Sequence, residues 1–230
     1  MVFDVQLRLL ELTNSRPSVR LNELRAVPKR GIDEAVDALR ESGLLDLSDG
    51  VLTMDARQRV MLAEQLVHSG ADAKRISRSL RWQEFEDFAD KILLDNRFFT
   101  RKHFVYKCSG RRREIDILAW NDMFLFAVDC KHWLRSLSTG RMKEAARAQT
   151  ERVTALAERP ELLHRLKVPN PEGRGIIPVI LTLGELRQQS IDGVPIVSVS
   201  RLVSFIYGVS PIDLKLKHVR VDSSSQSRLA

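Results

Sequence analysis

Three charged residues interrupt two apolar stretches near the middle of the chain. Asp116 stands among the aliphatic residues of 115–118. Asp129 and Lys131 interrupt the stretch 124–131, which is otherwise rich in Phe, Leu and Val. Charges on a buried strand cost free energy unless they are paired or bind a metal ion. These are therefore the positions where we expect chemistry.

The two stretches are predicted to form a β-hairpin over residues 114–132. Side chains alternate along a strand, so Asp129 and Lys131 share a face. A turn centred on residues 121–122 makes Asp129 a diagonal neighbour of Asp116 on that face, at roughly 7 Å. Two carboxylates this close repel each other unless a divalent cation lies between them. A register slip of one residue would turn Asp116 to the opposite face.

The composition is that of a globular protein with a modest excess of positive charge. The chain has 230 residues, of which 43% are hydrophobic and 29% charged, and its net charge is +7. This charge favours an anionic partner. No apolar run approaches the roughly 20 residues that span a membrane, so we expect no membrane partner. The only cysteines are Cys108 and Cys130, which argues against a disulfide framework and favours a cytoplasmic location.

Residues 1–70 are predicted to form a small winged helix-turn-helix domain. Apolar spacing indicates helices over 2–12, 21–27 and 31–42, and Asp49-Gly50 between alternating runs indicates a hairpin. The third helix would be the recognition helix. It carries more acidic than basic residues: Asp33, Glu34, Asp37 and Glu41 against Arg30 and Arg40. Contact with DNA and docking to a protein are therefore both open for this domain.

A helix over 55–68 and a basic connecting helix or linker over 71–81 are expected to lead into a second domain over 82–210. Its pattern predicts the order α-β-β-β-α-β-β-α, with a further helix left open before the last strand. This order describes an α/β fold with a mixed sheet flanked by helices. The C-terminal tail, 211–230, is polar towards its end and expected to be partly disordered.

The second domain resembles the PD-(D/E)xK nuclease superfamily, most closely the Mrr-type restriction endonucleases and archaeal Holliday-junction resolvases. The matching residues are Phe85-Glu86 on the first helix, EIDI at 114–117, VDCK at 128–131 and Gln149 on the next helix. The resemblance covers roughly residues 82–207. It implies a restriction-endonuclease-like fold for the domain.

The resemblance also implies roles for these residues. A Mg²⁺ ion, replaceable by Mn²⁺, would be held by Asp116, Asp129 and the backbone carbonyl of Cys130. Lys131 would position the attacking water or stabilise the phosphate. Gln149 would support the lysine or a phosphate.

Glu86 would order the metal ion or its water. Glu84 stands two positions away, about 200° around the helix, so both cannot face one site. The spacing to the next strand favours Glu86.

A second set of residues is expected to contact phosphates. The stretch 107–113 is predicted to be a basic loop. The contacts would come from five residues: Lys107, Arg111, Arg112, Arg113 and Arg141.

Together these features predict a Mg²⁺-dependent DNA endonuclease, acting in repair or on branched DNA as a homodimer, as the resemblance to the resolvases implies. Two alternatives stay open. One is a non-catalytic DNA-binding or regulatory protein that uses a nuclease-like fold. The other is an RNA-processing nuclease.

Overall fold

The computed structural model describes residues 2–24, 29–133, 138–210 and 213–223. The chain divides into two compact units, Met1–Phe88 and Ala89–Ala230. The helices are α1 Val2–Leu12, α2 Lys29–Glu41, α3 Ala56–His68, α4 Ala73–Arg78, α5 Trp82–Asp95, α6 Thr139–Ala157, α7 Pro160–Arg165 and α8 Leu202–Gly208. The strands are β1 Ser18–Arg20, β2 Asp46–Ser48, β3 Val51–Thr53, β4 Phe99–Cys108, β5 Arg111–Trp120, β6 Leu125–Lys131, β7 Gly175–Thr182, β8 Ser190–Ile191, β9 Val194–Ser198 and β10 Val219–Arg220. The division falls inside α5.

The first unit combines α1 to α4 with a small antiparallel sheet in the order β1-β3-β2. The predicted hairpin at Asp49-Gly50 is confirmed, and both turn residues have the positive φ that such a turn needs. Strand β1 was not predicted. The helix predicted over 21–27 is a 3₁₀ turn over Leu21–Leu24, and residues 25–28 lie outside the described part of the chain.

The second unit is a mixed α/β fold, as the element order predicts. Its seven-stranded sheet has the order β4-β5-β6-β7-β9-β8, with β10 paired to β7. Strands β4, β5 and β6 run antiparallel, whereas β6, β7 and β9 run parallel. The buried runs of β6, β7 and β9 match the near-continuous hydrophobic pattern of parallel strands. No helix within the described ranges has both the length and the apolar character to cross a membrane.

Helix α6 packs on one face of this sheet. Val153 and Leu156 of the helix share a core with Leu118 and Ala127 of the two central strands. On β6, Phe126 stacks on both Phe98 and Phe124. The contacts of Val153 and Leu156 position one side of α6 over β5 and β6.

The turn between β5 and β6 differs from the sequence prediction. The strands are joined by four residues, 121–124, because the Asn121 carboxamide accepts the backbone N–H groups of Met123 and Phe124. Trp120 therefore pairs with Leu125, whereas the turn predicted at residues 121–122 would have paired it with Met123, two positions earlier. A shift of two residues leaves every side chain on its predicted face, because strands alternate with a period of 2.

The basic loop predicted over 107–113 is also wrong. Strands β4 and β5 meet in a two-residue turn, Ser109-Gly110, and both residues have positive φ. Arg111, Arg112 and Arg113 are consequently the first residues of β5 and pair with the end of β4.

Three elements of the second unit were not predicted: α7, β8 and β10. Strand β8 forms a short hairpin with β9, where a further helix had been left open. Strand β10 lies in the predicted tail, of which residues 211–212 and 224–230 are outside the described ranges. The sequence pattern also predicts a helix from residue 137 to about residue 157; α6 matches it, and Leu137 itself lies outside the described ranges.

Candidate functional site

Asp116 and Asp129 lie level with each other on neighbouring strands. The ladder between β5 and β6 ends at the pair Ile117–Val128, and the next position on each strand is one of these two aspartates. The Asp116 side chain accepts the backbone N–H of Cys130 at 2.8 Å and so continues the contact between the strands beyond the ladder. The two carboxylates are thus direct neighbours across the strands, closer than the diagonal placement predicted from the sequence.

The strand on the other side of Asp116 is distorted at the same level. The ladder between β4 and β5 skips the pair His103–Asp116, and His103 has a φ of 48°. This left-handed conformation is uncommon for a residue other than glycine, although histidine adopts it more often than most. The backbone around Asp116 is therefore released from regular pairing on both sides, as is common where strands present functional side chains.

Asp129 is the most buried charged group of the cluster, with 3% of its surface exposed. Its Oδ1 accepts hydrogen bonds from Lys131 Nζ at 3.0 Å and from Arg152 Nη2 at 2.6 Å. Lys131 Nζ also lies 2.8 Å from Oδ2, so the ammonium group forms an ion pair with both oxygens of the carboxylate. Oδ2 is buried and has no further hydrogen-bond partner among the described residues.

Asp116 experiences an environment that opposes its ionisation. Burial raises the pKa of its carboxyl group, and the negative charge of Asp129 raises it further. The hydrogen bond from Cys130 and the charges of Lys131 and Arg152 act in the opposite direction without cancelling the rise. A raised pKa at a carboxyl pair is a recognised feature of functional sites.

Helix α6 supplies two residues to this cluster, only one of which was predicted. The buried Gln149 donates its amide to the carbonyl of Ala127 at 2.7 Å and accepts Arg152 Nε at 2.9 Å. It therefore supports Asp129 through Arg152, whereas the sequence suggested support for Lys131 or a phosphate. Arg152 was missed. The one signal for it was its position three residues after Gln149, where the two side chains share a helix face.

The arrangement fits a hard divalent cation in its donor chemistry. Within the described ranges no three acidic, histidine or cysteine side chains come together as a possible metal site. Two carboxylates are nevertheless present on neighbouring strands, and the Cys130 carbonyl points to the same side of its strand as the N–H that binds Asp116. Mg²⁺ is commonly held by one or two carboxylates, with waters and substrate phosphate completing its shell.

The two glutamates of α5 have different surroundings. Glu84 is buried and forms an ion pair with Arg59 at 3.0 Å within the first unit, so it is a structural residue. Glu86 is also buried and belongs to the same unit. The choice between Glu84 and Glu86 for the site therefore stays a prediction.

The predicted phosphate-contacting residues fall into three places. Lys107, Arg111 and Arg112 are exposed around the turn of the β4–β5 hairpin. Arg113 is half-buried, and its Nε has no hydrogen-bond partner among the described residues. Arg141 is exposed in the first turn of α6, away from the hairpin in sequence.

Comparisons with known proteins give only distant likenesses. No protein-family model matches the chain, and no curated protein matches it in sequence. Protein VC1899 from Vibrio cholerae has 12% identity and a TM-score of 0.40, over 90% of this chain and 51% of that one. AF1548, a protein of unknown function, has 14% identity and a TM-score of 0.32, over 50% of this chain and 56% of that one. The chain thus spans about half the length of each.

Proposed function

We propose that this protein is a metal-dependent DNA endonuclease of the PD-(D/E)xK type, with a restriction-endonuclease-like second unit. The observation that carries the proposal is the placement of Asp116 level with Asp129, with Lys131 bound to Asp129 on the same side. Two carboxylates and a lysine on the same face of adjacent strands suit phosphodiester hydrolysis with a divalent cation.

The residues of this chain would divide the work as follows. Asp116, Asp129 Oδ2 and the Cys130 carbonyl would hold Mg²⁺, which when bound polarises the phosphate and acidifies a water molecule. Lys131 has about a quarter of its side chain exposed, so its ammonium group can reach a substrate while it remains bound to Asp129. It would orient the attacking water or offset the charge that develops on the phosphate.

Delivery of the nucleic acid is assigned to exposed basic residues and to the first unit. Lys107, Arg111 and Arg112 form a cationic hairpin end suited to the phosphate backbone. We assign the first unit to the winged-helix class. Its helices α1 to α3 and its antiparallel hairpin support this assignment. A branched substrate and a homodimer belong to the proposal only through the resemblance to resolvases.

A cleavage assay tests this function. Purified protein is incubated with Mg²⁺ or Mn²⁺ and labelled linear duplex, single-stranded, flap, four-way-junction and RNA substrates. The wild type is expected to cleave DNA, whereas Asp116→Asn and Lys131→Ala lose activity while still binding it. Asp222→Asn and Lys143→Ala, which remove exposed charges of the same unit, serve as matched controls.

Each outcome of the assay discriminates between the hypotheses. Activity that survives both site substitutions would place the chemistry elsewhere. Binding to DNA without any cleavage by the wild type would favour a non-catalytic protein. Cleavage of RNA alone would favour the RNA-processing alternative.

A further inference from the structure

Arg152 is held in one orientation by hydrogen bonds at both ends of its guanidinium group. Its Nη2 donates to Asp129 at 2.6 Å and its Nε donates to Gln149 at 2.9 Å. Gln149 is itself fully buried and is bound to the backbone of β6 through the carbonyl of Ala127. The guanidinium group therefore has a fixed place beside the carboxylate, unlike a solvated arginine.

The backbone of Arg152 is anchored as well. The Tyr106 hydroxyl donates a hydrogen bond to the Arg152 carbonyl, and Tyr106 is almost completely buried on β4. The helix turn that carries Arg152 is thus tied to the sheet independently of the side-chain contacts. Such double anchoring keeps an arginine in place even when its ion pair is exchanged for another anion.

The charges of the cluster cancel. Asp116 and Asp129 contribute two negative charges, and Lys131 and Arg152 contribute two positive charges, with both cations bound to Asp129. A divalent cation therefore meets a site of no net charge. Arg152 is bound to Oδ1 and Lys131 lies 2.8 Å from Oδ2, so both cations repel a metal ion that approaches Asp129.

A phosphodiester changes this balance. Its anionic oxygens are preferred partners of arginine, which binds phosphate in a forked geometry. About a quarter of the Arg152 side chain is exposed, so a phosphate can reach it without unfolding of the helix. Once Arg152 shares its charge with a phosphate, its repulsion of a divalent cation at Asp129 falls.

We propose that Arg152 is a positioning residue that couples metal binding to DNA binding: it neutralises Asp129 in the DNA-free protein and shares its charge with the phosphate when DNA is bound. This rests on the proposed function, because it presumes that Asp116 and Asp129 bind a divalent cation. Coupling of this kind is reciprocal, so DNA strengthens metal binding by the same factor as metal strengthens DNA binding. Couplings between sites typically amount to about 5- to 150-fold.

The test is calorimetric titration of the DNA-free full chain with MnCl₂. Arg152→Gln and Arg152→Met remove the charge and are expected to bind Mn²⁺ at least about tenfold more tightly than the wild type, within the usual range of coupling. Arg152→Lys keeps the charge and is expected to remain within about twofold of the wild type. Arg147→Gln is the matched control, because it removes an exposed arginine of the same helix that is paired with Glu151.

A second titration measures the coupling directly. With a saturating duplex whose scissile linkages resist cleavage, wild-type affinity for Mn²⁺ is expected to rise by roughly tenfold or more. In Arg152→Gln and Arg152→Met the same duplex is expected to raise it by a smaller factor than in the wild type, because only the direct binding of the phosphate to the metal ion then remains. Thermal melting of each variant verifies that it is folded, and two neutral replacements guard against a defect peculiar to one of them.

The sign of the effect separates a counter-cation from a structural brace. If Arg152 only orients Asp129, Arg152→Gln and Arg152→Met will bind Mn²⁺ as tightly as the wild type or more weakly, and that result overturns the inference. The proposed metal site is still upheld in that case if Asp116→Asn weakens Mn²⁺ binding. If no folded variant binds Mn²⁺, or if Asp116→Asn leaves the binding unchanged, the metal site itself is refuted. Both proposals then fail together.

Discussion

Two buried carboxylates in this protein each bind an arginine, and their surroundings differ. In the first unit, Glu84 accepts Arg59 Nε at 3.0 Å with one oxygen and the N–H of Arg81 at 2.8 Å with the other. The rest of the Arg59 guanidinium donates to the carbonyls of Leu10 and Ser79 and to the Thr13 hydroxyl. Every polar group of this pair has a partner, and the arginine is fully buried.

The pair in the second unit is less enclosed. Asp129 is as buried as Glu84, and Lys131 Nζ lies 2.8 Å from its Oδ2. Its two cations, Lys131 and Arg152, are each about one quarter exposed at their side chains. A fully satisfied and fully buried ion pair holds helices together, whereas partly exposed cations beside a buried carboxylate can also bind a ligand.

The largest expected change in stability concerns the buried pair of Glu84 and Arg59. Glu84→Ala leaves the buried charge of Arg59 without a counter-ion, which typically costs about 3–5 kcal/mol. We expect a loss of this size in the free energy of unfolding, measured by urea denaturation of the full chain. Glu41→Ala, at an exposed glutamate of α2, is the control and should stay close to the wild type. A loss for Glu84→Ala below about 1 kcal/mol would mean that the pair does not hold the unit together.

A substitution in the cluster around Asp129 should affect activity more than stability. Lys131→Ala removes a partly exposed ion pair, so its cost in stability should stay near the roughly 0–1 kcal/mol of surface pairs. Its loss of DNA cleavage, measured as the single-turnover rate with Mg²⁺, should be about 10²- to 10³-fold, as for the removal of one group that stabilises transition-state charge. A lysine variant that loses stability and keeps its activity would reverse the assignment of the two pairs.

The sequence sufficed for the faces of the site but not for its distances. Asp116, Asp129 and Lys131 were grouped from alternation alone, and this grouping tolerates any register shift of two residues. The length of the turn escaped prediction because it depends on Asn121 and on Arg174, whose guanidinium binds the carbonyls of Asn121 and Phe124 from about 50 residues away. The residues near the turn in sequence do not predict a contact with Arg174.

The partners of the buried carboxylates were equally hidden. Arg152 is one of 37 basic residues in the chain, and by type it cannot be distinguished from a solvated arginine. Arg59 lies on an amphipathic helix where an arginine would ordinarily face water. Only the packing of helices against each other or on the sheet shows which basic residue is buried, and packing is set by contacts distant in sequence.

A smaller effect, with a characteristic pH dependence, is expected at Asp116. The pKa of Asp116 is higher in the folded protein than in the unfolded chain. The protonated carboxyl group therefore contributes its full stability at pH values below the ordinary pKa of aspartate, and this contribution is lost as the pH rises through the raised pKa. At neutral pH the ionised Asp116 therefore lowers the free energy of unfolding. Asp116→Asn should melt at a higher temperature than the wild type at pH 7, by roughly 2–4 °C for each kcal/mol relieved.

The pH series serves as the control for this prediction. Below the ordinary range of aspartate the wild-type group is already protonated, so the two proteins should melt at similar temperatures. The same substitution should abolish cleavage, which would make the site a case of function maintained at the expense of stability. Equal melting temperatures at every pH would show that Asp116 is not strained by burial or by Asp129.

The smallest effect concerns the anchor of Arg152. Tyr106→Phe removes the hydrogen bond to the Arg152 carbonyl and should cost about 0.5–1.5 kcal/mol in the free energy of unfolding at pH 8. Burial raises the pKa of Tyr106 to about 12, so its contribution should be complete below about 10, the ordinary value, and should be lost as the pH rises towards 12. Urea denaturation at a series of alkaline pH values should therefore bring the wild type down to the phenylalanine variant. Asp129 keeps both of its cations in Tyr106→Phe, so the affinity for Mn²⁺ should change little. A gain in affinity like that expected for Arg152→Gln would show that the hydrogen bond from Tyr106, and not the charge of Arg152, controls metal binding.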